Sequence, residues 1–199
     1  MRSNDELVDY LSSKGYIHSD RVKKAFNAFD RADFVAERYS DSAYSDRPLP
    51  IGEDATISAP HMIAINTELL GAGEDDRVLE IGSGSGYQVA ILSELAREVV
   101  GVEIEPDLVK KSRKRLEDRK NTRIIQGSGL KPVKGKFDRI LYSCSIDSIE
   151  DAKEYLREDG VIVAPINRDG SQTLTRWHNG ERTEHGPVRF VGFKEKPSD

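Results

Sequence analysis

A chain of 199 residues carries enough material for one hydrophobic core and too little for two domains of ordinary size. Its 33% charged and 37% hydrophobic residues argue against a fibrous or disordered polymer, and a net charge of −5 argues against extended nucleic-acid binding. No apolar run reaches the roughly 18 residues of a membrane span, and residues 1–6 lack the apolar core of a signal peptide. Cys144 is the single cysteine, so neither an internal disulfide nor a multi-cysteine metal site can form; a cytoplasmic, metal-free monomer is the expectation.

Apolar spacing predicts helices over residues 4–13 and 21–29, the second preceded by the capping candidate Ser19. Residues 38–56 break into Asp, Ser, Pro and Gly and read as a long ordered loop of the kind that carries function. Met62, Ile63, Ile65, Leu69 and Leu70 fall at helical spacing and predict a helix over 60–70, closed by Gly71. The period then changes. Apolar strands over 77–81, 99–103, 122–126, 137–142 and 160–164 alternate with helices over 87–97, 106–116 and 148–156. This alternation predicts an α/β fold with a doubly wound, mostly parallel sheet between two helical layers. The basic stretch 110–120 lies on one of these helices with Glu117 and Asp118 interspersed, and reads as a solvated face. Asn179-Gly180 predicts a hairpin between strands over 173–178 and 181–183, with a further strand over 188–193, giving an antiparallel C-terminal edge. The expected organisation is one domain over 1–199: helices and loop to residue 58, a core over 59–165, and antiparallel strands over 166–199.

The strongest local pattern is Leu79-Glu80-Ile81-Gly82-Ser83-Gly84-Ser85-Gly86-Tyr87, between a strand and a helix. Glycines permit positive backbone dihedrals and let a ligand meet the main chain, and ligands of such sheets bind beyond the carboxyl ends of the strands. Glu103, ending the next strand, can accept hydrogen bonds from ribose hydroxyls. Nicotinamide enzymes prefer G-x-G-x-x-G, whereas Tyr87 stands where that motif has its last glycine. The form acidic-x-Gly-x-Gly-x-Gly resembles the first motif of S-adenosylmethionine-dependent methyltransferases, in which Glu80 could help bind the cofactor's ammonium. A turn that serves only strand-to-helix packing is the plain alternative, as is a Glu80 that only holds the loop.

Two upstream segments narrow this. Ala43-Tyr44-Ser45-Asp46-Arg47-Pro48-Leu49-Pro50-Ile51-Gly52 and Ala55-Thr56-Ile57-Ser58-Ala59-Pro60-His61-Met62, followed by the Gly-rich loop, resemble protein-L-isoaspartate O-methyltransferases. The likeness runs from about residue 31 to Pro165 and weakens toward the C-terminus. It implies methyl transfer from S-adenosylmethionine to the free carboxylate of an L-isoaspartyl residue in a damaged protein, with repair through a succinimide. By the same likeness Ser58 is the catalytic residue, hydrogen-bonding the acceptor carboxylate, and Ser58, His61, Tyr44 and Asp46 form the substrate site. Glu80, Gly82, Ser83, Gly84, Ser85, Gly86, Glu103, Ile104, Gly127 and Ser128 are then expected to hold the cofactor.

The residues themselves leave alternatives. Ser58 can cap the helix that contains Pro60, His61 can satisfy backbone groups in its first turn, and Tyr44 and Asp46 can simply order their loop. Gly127-Ser128-Gly129 replaces the Gly-Asp-Gly common in the family, so the adenine amino group would meet a hydroxyl without charge. Phe190-Val191-Gly192-Phe193 stands where Phe-Val-Pro-Leu is usual, in a segment that holds the peptide in relatives. A related methyltransferase acting on another acceptor, such as a tRNA adenine, and a non-catalytic binding protein on the same scaffold are the competing functions.

Overall fold

The computed structural model describes residues 1–52 and 54–194; Glu53 in the expected loop, and residues 195–199 of the expected C-terminal strand region, lie outside the described residues. Helix α1 (Asn4–Ser13) is capped by Ser3, whose side chain accepts from the Glu6 amide, and α2 (Asp20–Asn27) by Ser19, which accepts from the Val22 amide. The expected loop proves ordered: two short 3-10 turns, Arg31–Phe34 and Glu37–Ser42, lead into a two-stranded ribbon of β1 (Leu49–Pro50) and β2 (Thr56–Ile57). Helix α3 (Pro60–Leu70) follows, with proline at its first position and Gly71 closing it in the left-handed region.

The core then alternates: β3 (Arg77–Ile81), α4 (Tyr87–Ser93), β4 (Glu98–Glu103), α5 (Pro106–Arg115), β5 (Thr122–Gln126), β6 (Phe137–Tyr142), α6 (Glu150–Lys153) and β7 (Leu156–Arg168). The tail is β8 (Ser171–His178) and β9 (Glu181–Val188). Among the described residues seven strands form one sheet in the order β5-β4-β3-β6-β7-β8-β9, parallel as far as β7 and antiparallel beyond it. The parallel strands are apolar on both faces because both are covered. Val78, Val99 and Leu141 point into the cluster that also holds Leu7, Leu11 and Phe26 of the N-terminal helices. Leu79, Ile81, Val100, Val102 and Ile140 alternate with them and pack on the other side with Ala152 and Leu156. No helix among the described residues is long and apolar enough to cross a membrane.

Three expectations need correction. The helix expected over 148–156 shrinks to Glu150–Lys153, because Leu156 already pairs with Phe137; the pairing resumes at Arg139 with Val161, so β7 begins early and carries an irregularity around Gly160. Helix α4 stops at Ser93 rather than residue 97. The strand expected over 188–193 does not form: β9 ends at Val188, and beyond it the only pairing among the described residues is a single bridge of Gly192 to Ser145.

Candidate functional site

β3 and β6 are neighbours, yet the chain leaves β3 toward β4 and β5 before returning to β6, so the connections after β3 and β6 part in opposite directions. This is the switch point at which open α/β sheets place a ligand crevice. A cavity of about 800 Å³ lies there, the size of a small-molecule site. It is lined by Gly82 and Gly84 after β3, Glu103 and Ile104 at the end of β4, Gly127 and Ser128 after β5, Ser58 and His61 at the start of α3, and the segment 187–194.

The Gly-rich turn owes its shape to backbone conformations that a side chain resists: Gly84 has φ +52° and Gly86 φ +87°. Glu103 braces it. One carboxylate oxygen accepts from the Gly84 amide at 2.7 Å, the other from the Ile104 and Glu105 amides at 2.8 and 2.9 Å. An oxygen with two lone pairs is filled by two donors, so one acceptor position remains for a ribose hydroxyl rather than two.

Glu80 is 1% exposed. Its Oε1 accepts from the Ser143 hydroxyl at 2.6 Å, while Oε2 has no partner. Burial pushes its carboxyl up to about 8; the Ser143 hydroxyl counteracts this and the nearby Glu103 adds to it. Burial, with Glu103 and Glu80 nearby, likewise pushes the Cys144 thiol up to about 12, so it stays protonated beside Gly82 as a packed small group.

Ser58 borders the crevice with a hydroxyl that makes no hydrogen bond to the described residues. It does not cap α3: the cap position is Ala59, and Asp46, from 15 residues upstream, accepts the His61 amide at 3.0 Å instead. The same Asp46 oxygen lies 2.8 Å from His61 Nδ1, so the carboxylate favours the proton on Nδ1 and leaves Nε2 as an acceptor. What holds Ser58 is its carbonyl, which accepts from Arg31 Nη2 at 3.0 Å. Arg31 is fully buried and donates also to the carbonyls of Ala43 and Arg47; burial pulls its pKa down to about 10.

The expected site is therefore partly redistributed. Tyr44 does not line the crevice; its hydroxyl is spent on the Asp30 carboxylate at 2.9 Å. Asp46 does not line it either and reaches it only through His61. Gly86 lies against α5, where an added Cβ would meet the Ser112 Cβ at 3.1 Å, so its freedom serves the helix start. Ser83 and Ser85 border a second, smaller cavity behind the loop. Ser128 lines the crevice as expected; its hydroxyl donates to the Lys194 carbonyl at 3.1 Å, and its oxygen can still accept.

Sequence reasoning missed Arg31, Ser143 and Gln172. The Gln172 amide donates to the Phe190 carbonyl at 3.1 Å and accepts from the Phe190 N–H at 2.6 Å, which reproduces a strand pairing with a side chain. Ser145 fastens the next turn, donating its N–H to Val191 and accepting from Phe193, each at 2.9 Å. These four bonds hang the C-terminal segment over the crevice. Only the position of Ser143, just past the strand that flanks the switch point, was a readable signal.

Comparison with known proteins converges on one family. The model of the protein-L-isoaspartate(D-aspartate) O-methyltransferase family matches residues 2–196. A protein-L-isoaspartate O-methyltransferase of Methanopyrus kandleri is 39% identical, covering 99% of this chain and 96% of the relative. One from Myxococcus xanthus is also 39% identical, covering 96% and 95%. Among solved structures, a protein-L-isoaspartate O-methyltransferase of Plasmodium falciparum, crystallised in complex with S-adenosyl-L-homocysteine, is similar with a TM-score of 0.87 and 26% identity, covering 98% of this chain and 100% of that one.

Proposed function

The chain belongs to the protein-L-isoaspartate(D-aspartate) O-methyltransferase family, and from that premise we propose that it transfers the methyl group of S-adenosylmethionine to the free carboxylate of L-isoaspartyl residues in damaged proteins. The observation that carries the reading is the Ser58 hydroxyl, free of hydrogen bonds to the described residues, on the same crevice as the Gly-rich turn.

The residues fit the cofactor. Glu80 is a buried acid whose Oε2 lacks a partner, which suits an ammonium; Glu103 keeps an acceptor position for the ribose; Ser128 offers an oxygen to the adenine amino group. Bound there, S-adenosylmethionine supplies a methyl group already activated by its sulfonium. The acceptor, with a carboxyl pKa of roughly 4, is ionised at neutral pH, so the chain needs no general base. Its task is alignment and exclusion of water. Ser58 donates to one acceptor oxygen and fixes the direction of the other. Arg31 holds the Ser58 main chain, the Asp46–His61 pair offers Nε2 to the peptide, and the segment 187–194, hung from Gln172 and Ser145, closes the peptide side.

The protein works as a cytoplasmic monomer: the lone cysteine suits a reducing compartment, and Met1 and Val191 are the only large hydrophobic side chains exposed among the described residues. The test is labelled S-adenosylmethionine with an isoaspartyl peptide and its normal aspartyl twin. Base-labile label is expected on the first alone; equal or absent labelling would overturn the reading.

A further inference from the structure

Among the described residues, the non-glycine residues with positive φ are Asp159 at 59°, Asp169 at 50° and Asn179 at 49°, and each is followed by glycine. An Asp or Asn in that place is open to attack by its own main chain, because the next amide nitrogen can close a five-membered ring on the side-chain carbon and glycine has no Cβ in the way. The three are not equally open. A Cβ on Gly160 would lie 2.5 Å from Leu156 Cγ, so the backbone after Asp159 is packed and cannot turn. Asp169 presents a carboxylate, whose negative charge repels a nucleophile. Asn179 has neither protection: it is a neutral carboxamide in the exposed turn between β8 and β9, with open space around Gly180. The Gly180 N–H makes no hydrogen bond to the described residues, and the carboxamide makes one, donating to Asp159 Oδ1 at 3.0 Å between exposed groups. A bond of that kind is worth about 0.5–1.5 kcal/mol and opens readily.

We propose that Asn179-Gly180 is a built-in source of isoaspartate and that a second copy of this chain methylates it, the second step resting on the activity proposed above. The Gly180 main-chain nitrogen attacks Asn179 Cγ; the new N–Cγ bond replaces the Cγ–Nδ2 bond, and ammonia leaves with the proton of the Gly180 nitrogen. Water then opens the resulting succinimide. Cleavage of the bond from the ring nitrogen to the original main-chain carbonyl leaves the chain running through the side-chain carbon, with a free α-carboxylate at position 179. That carboxylate is the acceptor, and it takes the methyl group of S-adenosylmethionine.

The acceptor has to be met by another molecule. β7 runs parallel to β6 and β3, so its carboxyl end at Arg168 lies on the crevice side, while His178, at the turn, pairs with Val161 at the other end. At about 3.3 Å per residue, roughly 20 Å of strand separates the turn from the crevice end of the sheet. The isoaspartyl link also adds a carbon to the main chain between His178 and Glu181, which pair across the turn, and so loosens the end of β9. As the outermost strand, exposed over residues 181–185, β9 leaves the damaged turn free to enter a partner's crevice.

The test stores wild type and Asn179→Gly in warm neutral buffer; a Gly-Gly turn keeps the positive φ that the hairpin requires. Each stored chain, at fixed concentration, is then offered to increasing amounts of fresh wild type with labelled S-adenosylmethionine, beside an isoaspartyl peptide as control, and digestion at acid pH locates the label. Stored wild type should gain base-labile label around position 179, more with longer storage and at a rate proportional to the fresh enzyme, and the label should be lost in Asn179→Gly. Label on the peptide but not on stored wild type, equal label on Asn179→Gly, or a rate indifferent to the fresh enzyme would overturn the proposal while leaving the activity standing. Label on neither peptide nor chain would refute the activity and the second step together. The tryptic fragment of residues 177–182 reads the first step by itself: it should gain the mass of water less that of ammonia on storage, and an unchanged mass would overturn it.

Discussion

Replacing Arg31 by Met should separate catalysis from cofactor binding. The guanidinium donates to three carbonyls, those of Ala43, Arg47 and Ser58, and Met fills the space without offering a donor. Each orphaned carbonyl costs about 1–2 kcal/mol. Part of that returns, because the native guanidinium is itself penalised by burial, with its pKa drawn down from 12.5 to about 10, worth about 3 kcal/mol. The expected net loss is about 2 kcal/mol, or a drop of about 4–8 °C in melting temperature for a chain of this size. The larger effect falls on the reaction, since a shift of about 1 Å at the aligning group can cost on the order of a hundredfold. Steady-state kinetics with an isoaspartyl peptide should show kcat reduced about 10–100-fold, with Arg31→Lys intermediate, while S-adenosylhomocysteine binds within about twofold of wild type by calorimetry. An unchanged kcat, or cofactor binding lost in step with activity, would refute the idea that Arg31 acts through Ser58.

Gln172→Leu removes both bonds to Phe190 and should raise the peptide KM about tenfold at nearly constant kcat, checked by peptide titration. Gly101→Ala places a Cβ 2.7 Å from Ile124 Cδ1 and 2.9 Å from the Ser83 Cβ; a loss of about 1–3 kcal/mol in urea unfolding is expected, and full stability would mean that the turn is looser than described. Glu80 titrates at about 8 in the folded protein against 4.5 unfolded, so the fold binds the extra proton more tightly. That stabilisation is complete below the unfolded pKa and is lost as pH rises through the folded one. Melting curves across this range should therefore fall with pH in wild type and lie flatter in Glu80→Gln.

Much of the core was legible because local and global signals agree there. Residues 60–70 carry helical spacing between Pro60 and Gly71, and 77–81 and 137–142 are short segments with apolar residues for both faces (Val78, Leu79 and Ile81; Ile140, Leu141 and Tyr142), which suits a sheet covered on two sides. The tail misled for a physical reason. Residues 188–193 have the composition of a strand, but Gln172 supplies from its side chain the pairing that a neighbouring main chain would give, and the segment leaves the sheet to wall the crevice. The Gly-rich turn, Glu103 and Ser58 could be read from the chain because short motifs announce them. Arg31 and Gln172 could not, since each matters only through main-chain groups that the fold brings near from 12 to 27 residues away. Tyr44 shows the reverse case: it sits inside a recognisable motif, yet its hydroxyl answers to Asp30.

The proposed catalysis rests on the Ser58 hydroxyl directing an acceptor carboxylate toward a cofactor held by other residues. Single-turnover methyl transfer to an isoaspartyl peptide by Ser58→Ala, with S-adenosylhomocysteine affinity measured on the same preparation, tests this directly. The prediction is a rate lower by about 10–150-fold, the worth of one hydrogen bond to a charged group, at unchanged affinity. A wild-type rate in Ser58→Ala, or a loss matched by equal weakening of cofactor binding, would contradict it.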